Sequence, residues 1–276
     1  MNMTHAKSCE KQKTPIRKYN VVLANFLNYG VFFFGYIIVY IMLSFLFQYL
    51  LGLESIVATI IANVIMTILS FSLYFSFKYK KKLPSYQSHN NSMTLSKLLC
   101  WFFYFIVTSY CLLLFFQWFS LNVPDEGMLQ RETDMQQHTI VFYLFYSCIL
   151  APLAEESIMR LYAYNQLKRS SNWIVAMIVS SFVFALLHGT FTHAVIATLF
   201  GVILTLSYEY TSCFYMPILG HVIYNFMALF TTSDMFFAKN NVLVLIIAAL
   251  FVIMLVVQIV IQSRKMSKIS YRDMLK

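Results

Sequence analysis

Long apolar runs alternate with short polar segments along the chain. The runs lie near 21–50, 55–77, 98–121, 139–166, 173–189, 193–208, 213–232 and 241–262. A helix rising 1.5 Å per residue needs about 20 residues to cross about 30 Å of hydrocarbon. The pattern predicts an all-α, polytopic membrane protein of about eight transmembrane helices. One run is long, and the fifth and sixth are short enough to be broken or re-entrant. Residues 1–20 are polar and basic, and the run after them is too long for the apolar core of a cleavable signal peptide.

Composition narrows the class. The 276 residues are 60% hydrophobic and 11% charged, where a soluble domain carries about 25% charged residues. That excludes a soluble enzyme, a disordered chain and a nucleic-acid module with a solvated surface. Seven Gly and five Pro leave little material for the turns of a β-barrel. No internal repeat is visible. Cys9, Cys100, Cys111, Cys148 and Cys213 are widely spaced, odd in number and without a CxxC pair. They predict free thiols rather than a disulfide framework or a zinc site.

The net charge of +9 matters through its placement. Basic residues gather at 7–18, at Lys78, Lys80, Lys81 and Lys82, at Lys168 and Arg169, and at 264–276, while Asp125, Glu126, Glu132 and Asp134 share one loop. With the N-terminus inside, eight crossings place 78–97, 167–172, 209–212 and 263–276 inside and the acidic loop 122–138 outside. This is the positive-inside distribution, and it predicts both termini cytoplasmic. The expected organisation is a cytoplasmic tail over 1–20, a membrane domain over 21–262 and a cytoplasmic tail over 263–276. Membrane lipid is the expected partner; nucleic acid is not.

A few polar side chains contradict their apolar surroundings. Of the eleven acidic residues, Glu155 and Glu156 sit side by side within a long apolar stretch, and Arg160 is the one arginine that does the same. A charge at mid-bilayer costs roughly 2.5–3.5 kcal/mol on insertion scales, so such groups face a protein interior and carry a role. Glu156 and Arg160 form an i, i+4 pair in the favourable order. Glu155 points about 100° away from that pair. His188 closes the run after Phe184, and His221 lies one turn before Asn225 on the same helix face. Counted at 1.5 Å per residue from the inner boundaries, Glu155, His188 and Asn225 reach roughly 20–24 Å deep, with His221 about a turn shallower. Three helices thus predict one shared cavity.

These residues resemble the three signature motifs of the CAAX-protease and bacteriocin-processing (CPBP) family of intramembrane endopeptidases, which includes the eukaryotic Ras-converting enzyme. The motifs are Glu155-Glu156-x-x-x-Arg160, Phe184-x-x-x-His188 and His221-x-x-x-Asn225, and the resemblance covers roughly 139–231. Bacterial members often carry an aromatic before the arginine and a glycine after it, where Met159 and Leu161 stand here. The resemblance implies catalytic Glu155 and His188 activating a water, with His221 and Asn225 stabilising the oxyanion. Glu156, Arg160 and Phe184 would support them, with no cofactor. It further implies a multi-pass protein of a bacterial plasma membrane. The substrate would be a membrane-associated or lipidated peptide, such as a pheromone or bacteriocin precursor or a CAAX-like tail.

Other readings stand beside this one. A zinc-dependent protease would use Glu155, His188 and His221 as ligands with an open position; against it, HExxH is absent and Asn is a poor zinc ligand. Intramembrane Glu, His and Arg are equally typical of a transporter or proton relay, which internal pseudo-symmetry would favour. A non-catalytic bacteriocin-immunity or regulatory protein is a third possibility. The plainer reading of the acids is a buried salt-bridge knot that pins helices. Asn225 alone would be helix-to-helix glue, and His193 is expected to be a packing residue. Pro152, just before the acids, is expected to kink the fourth helix and release carbonyls toward the site.

Overall fold

A computed structural model describes residues 30, 31, 33–79, 93–123, 140–231 and 240–274. The N-terminal tail with Cys9, most of the basic stretch after Lys78, and the acidic loop lie outside the described residues. Eight helices are found among the described ones, one for each apolar run. We number them α1 (Phe33–Leu50), α2 (Ser55–Tyr79), α3 (Leu95–Asn122), α4 (140–170), α5 (Trp173–Leu186), α6 (Phe191–Thr211), α7 (Tyr215–Phe230) and α8 (Asn241–Met274). By length and composition, α1, α3, α6 and the Asn241–Arg264 part of α8 are apolar and long enough to cross a membrane. At 14 residues, α5 spans only about 21 Å, as its short apolar run predicts. The described residues contain no strand, and their cysteines are free thiols.

The helix starts follow local chemistry. The side chains of Thr94, Asn172 and Thr190 accept from the backbone N–H three residues on and cap α3, α5 and α6. Gly189, at φ 73°, makes the break between α5 and α6 that a side chain would strain. The two helices then pack together tightly: a Cβ at Gly201 would stand 3.0 Å from Ser181 Cα. Buried along most of its length, α6 packs against α3, α5, α7 and α8.

The irregular element is α4. Within one continuous rod it runs α-helical over Ile140–Phe145, π-helical over Tyr146–Leu150, α-helical over Ala151–Glu156, π-helical over Ser157–Tyr164 and α-helical to Ser170. Such wide turns recur at functional sites. Pro152 explains the first. The N–H of Ala151 bonds to the carbonyl of Tyr146 in the wide register, and Pro152 has no N–H to offer the next carbonyl, that of Ser147. The second wide turn is held from within, because the Asn165 amide donates to the carbonyls of Arg160 (2.9 Å) and Leu161 (3.1 Å).

The helices run past the ends of their apolar runs. Into 209–212 and 167–172, the segments expected on the inner side, α6 continues to Thr211 and α4 to Ser170. The Glu209 side chain is 1% exposed and pairs with Lys168 Nζ at 2.6 Å. Glu209 is thus a buried acid like Glu156, and the sequence reading that placed only Glu155 and Glu156 inside the apolar region overlooked it. At the other end of the chain, α8 continues through the segment expected as a tail, 263–276, as far as Met274.

Candidate active site

The Arg160 guanidinium grips Glu156 from two sides. Its Nε lies 2.9 Å from Oε2 and its Nη1 3.1 Å from Oε1, with both side chains almost wholly buried. The remaining Nη2 donates to the Gly201 carbonyl on α6 at 3.2 Å. That carbonyl also accepts from Thr205 Oγ1 at 2.8 Å. The i, i+4 pair read from the sequence is therefore real, and it ties α4 to α6. A bidentate, charge-assisted contact of this kind favours two ionised partners.

His221, on α7, inserts its ring between the two acids. Nδ1 lies 2.9 Å from Glu156 Oε1, and Nε2 lies 3.8 Å from Glu155 Oε2. An ionised carboxylate only accepts, so Nδ1 carries a hydrogen. Adjacent residues on a helix diverge by about 100°, yet one imidazole meets both because its nitrogens point opposite ways. The exposures differ sharply: the Glu155 side chain is 29% exposed, whereas Glu156 is 0% and His221 5%. Glu155 is the acid that a substrate or water can reach.

The Phe184 ring joins the second motif to the third. Fully buried, it meets His188 edge-on at 4.7 Å and His221 at 5.9 Å, and the Arg160 guanidinium lies 5.2 Å from its centroid. Phe200 of α6 closes the other side of His221 at 5.3 Å. His188 Nδ1 stands 3.0 Å from the Phe184 carbonyl. A carbonyl only accepts, so this contact places the hydrogen on Nδ1 and leaves Nε2 as a basic nitrogen in the neutral ring. Asn225 faces α4 like His221, and its Nδ2 donates to the Ser147 carbonyl at 2.7 Å. This is the carbonyl that Pro152 leaves to other donors, as the sequence expectation for that proline had it.

The sequence-derived residues fall into a chain of contacts that starts on α4. Glu156, Arg160 and His221 form one bonded set, Glu155 flanks it, Phe184 links His188 to it, and Asn225 joins one turn away on α7. His193 stays apart. It packs its ring 4.9 Å from Phe116 and bonds to Thr190 at 2.8 Å in the cap of α6, the packing role expected for it. Among the described residues, no three His, Cys, Asp or Glu side chains are grouped so as to hold a metal ion. Within the set, His221 Nδ1 and the Glu156 oxygens already serve each other and Arg160.

Comparison with known proteins finds a likeness over part of the chain. Residues 137–227 match the family model described as type II CAAX prenyl endopeptidase, Rce1-like. The membrane-embedded CAAX protease MroQ of Staphylococcus aureus (strain USA300) is 33% identical over 92 residues, which are 31% of this chain and 37% of that protein. Over that stretch the chain is similar to CAAX proteases. It is an integral membrane protein, a reading that its apolar helices and this likeness support. No solved structure matches. The matched segment runs from just before α4 into α7, so the family likeness and the site occupy the same stretch. The likeness to MroQ takes in little more than a third of that protein's length.

Residues outside the motifs also reach the site. Phe200 on α6 packs its ring 5.3 Å from that of His221, and the Ser147 carbonyl on α4 receives the Asn225 amide. Sequence reasoning missed them, because one phenylalanine among 27 and one backbone carbonyl carry no signal until the helices are packed.

Proposed function

We propose that this protein is an intramembrane endopeptidase that hydrolyses a peptide bond of a membrane-associated or lipidated peptide with water activated by Glu155. The observation that carries the reading is His221 bridging the two glutamates, with Glu155 the accessible one. The gap of 3.8 Å between Glu155 Oε2 and His221 Nε2 is too long for a direct hydrogen bond. It suits two groups acting on one intervening oxygen.

In this mechanism the Glu155 carboxylate accepts a proton from water, assisted by the basic Nε2 of His188. The resulting hydroxide attacks the scissile carbonyl. The developing oxyanion is met by a proton on His221 Nε2 and by the second Asn225 N–H, since the first is engaged at Ser147. Glu155 then returns its proton to the departing amine. Charge balance supports the doubly protonated form of His221. Glu155, Glu156, Arg160 and imidazolium His221 sum to zero, which lessens the cost of burying them together. Glu156 and Arg160 hold the ring and do not touch the reacting atoms.

A metal is not required by this chemistry, in which Glu155 acts on the water directly. A prenylated or otherwise lipidated peptide fits the family description. A bacterial plasma membrane with both termini cytoplasmic fits the staphylococcal relative and the charge distribution. The test is comparative peptidomics of membrane and secreted fractions from cells carrying wild-type protein or Glu155→Gln. A peptide released only by the wild type is expected; identical peptide sets would sink the reading.

A further inference from the structure

Glu209 is buried and charged, and no step of the proposed hydrolysis touches it. Its Oε1 lies 2.6 Å from Lys168 Nζ, with the Glu209 side chain 1% exposed and the Lys168 side chain 23%. The pair is one of three polar ties from α4 to α6. Arg160 Nη2 donates to the Gly201 carbonyl at 3.2 Å, and Asn165 Nδ2 donates to Tyr208 Oη at 3.2 Å. Partner positions rise together along both helices, so α4 and α6 run in the same direction, and the Arg160 and Lys168 ties share one offset of 41 positions. Across these ties α6 is a regular helix, buried along most of its length. The α4 side is not regular: Arg160 lies inside the second wide turn, Ser157–Tyr164, and Asn165 and Lys168 stand just past its end. Lys168 Nζ also lies 5.7 Å from the centroid of the Tyr164 ring, which meets the Tyr208 ring edge-on at 6.1 Å. Gln262 of α8 holds the Glu209 backbone carbonyl at 3.3 Å.

Winding matters here because Glu155 and Glu156 stand immediately upstream of the wide turn. One residue of helix turns the chain by about 100°, the same angle that separates the two acids. A slip of one residue in the wide turn would therefore turn one acid toward the place of the other. The common α register competes with a wide turn, so contacts from outside the helix must hold the count. An apolar pair often joins two helices as stably as a buried ion pair, whose best-attested use is to fix register. We infer that Lys168 and Glu209 hold the register of α4 against the regular ladder of α6. They thereby decide that Glu155 is the acid open to substrate while Glu156 stays closed on His221. Both are positioning residues and touch no reacting atom. The inference rests on the endopeptidase reading only for the reaction that reports it.

The test uses purified full-length protein in lipid nanodiscs and replaces the ion pair by an apolar one, Lys168→Met with Glu209→Leu. Labelling by a hydrophobic carbodiimide, read by mass spectrometry, reports which acid is open. Cleavage of a fluorescent peptide with a farnesylated cysteine near its C-terminus reports turnover. In the wild type Glu155 is expected to be labelled and Glu156 protected, as their exposures require. The apolar pair should melt near the wild-type temperature yet label Glu156 as readily as Glu155. Its kcat should fall about tenfold to a hundredfold, the scale of a misplacement of about 1 Å, with KM within about twofold. Glu209→Gln, which removes only the charge, should shift the labelling the same way, and Lys168→Arg, which keeps it, should not. A wild-type labelling pattern in both the apolar pair and Glu209→Gln, whatever the kcat, would overturn the inference. So would an apolar pair that melts far below the wild type, because the ion pair would then be structural. Shifted labelling in a stable apolar pair, with no peptide cleaved by the wild type, would keep the register role and sink the endopeptidase reading.

Discussion

One imidazole serves two neighbouring carboxylates: His221 Nδ1 is 2.9 Å from Glu156 Oε1, and Nε2 of the same ring is 3.8 Å from Glu155 Oε2. The buried acid fixes the ring and the accessible acid shares its working edge. This division of labour yields distinct expectations for two residues that are adjacent in the chain.

Glu155→Gln keeps the shape of the side chain and removes the base. Cleavage is expected to fall by at least about 10²-fold, the usual worth of a positioned general base, with melting temperature and membrane yield at wild-type values. Turnover near the wild-type rate in a purified sample would show that the base is elsewhere.

Arg160→Ala is expected to act on the fold first. It leaves Glu156 facing His221 alone in a dry interior, and it removes the donor to the Gly201 carbonyl. Breaking a buried ion pair from one side costs about 3–5 kcal/mol, so abundance and thermal stability should both drop. Arg160→Lys should rescue little, because a single ammonium cannot grip both carboxylate oxygens and the carbonyl together. Normal melting of Arg160→Ala would refute the structural role.

Gly220 precedes His221 in a place without room. A Cβ there would stand 2.5 Å from Phe105 Cε1 and 2.9 Å from Leu204 Cδ2, and the Phe105 ring is fully buried. Gly220→Ala should cost about 1–3 kcal/mol through overpacking and displace the imidazole beside it. Adding Phe105→Leu should recover part of the stability. Equal melting of the single and double variants would argue against the clash.

The mechanism sets a pH profile and a metal response. Rate should fall in acid as Glu155, the general base, gains a proton, along a limb that belongs to the coupled group rather than to one residue. EDTA and phenanthroline should leave activity intact. Loss on chelation that stoichiometric zinc reverses would return Glu155, His188 and His221 to the role of ligands.

How much of this was written in the sequence can be judged residue by residue. The eight helices were legible because apolar runs of spanning length have few other outlets. The three motifs were legible because charge within such runs is rare enough to stand out. Phe184 had no weight among 27 phenylalanines, since its role lies in touching two histidines and a guanidinium, which is a property of packing. Glu209 was read as a loop residue because the apolar run stops at 208, one position short of it. Its partner Lys168 approaches from α4, and Gln262 of α8 donates to the Glu209 carbonyl at 3.3 Å. No spacing rule connects residues from three helices.

Pro152 reaches further than its own helix. By withholding one N–H it turns the Ser147 carbonyl outward, and Asn225, 78 positions along the chain from that carbonyl, aligns its amide to it. The rotation of α7 about its axis is thus read off a gap in the hydrogen-bond ladder of α4, and the histidine one turn earlier inherits that rotation. A missing donor acts here as a keyway: it sets the angle at which a neighbouring helix locks in, and with it the direction in which the imidazole faces the two acids.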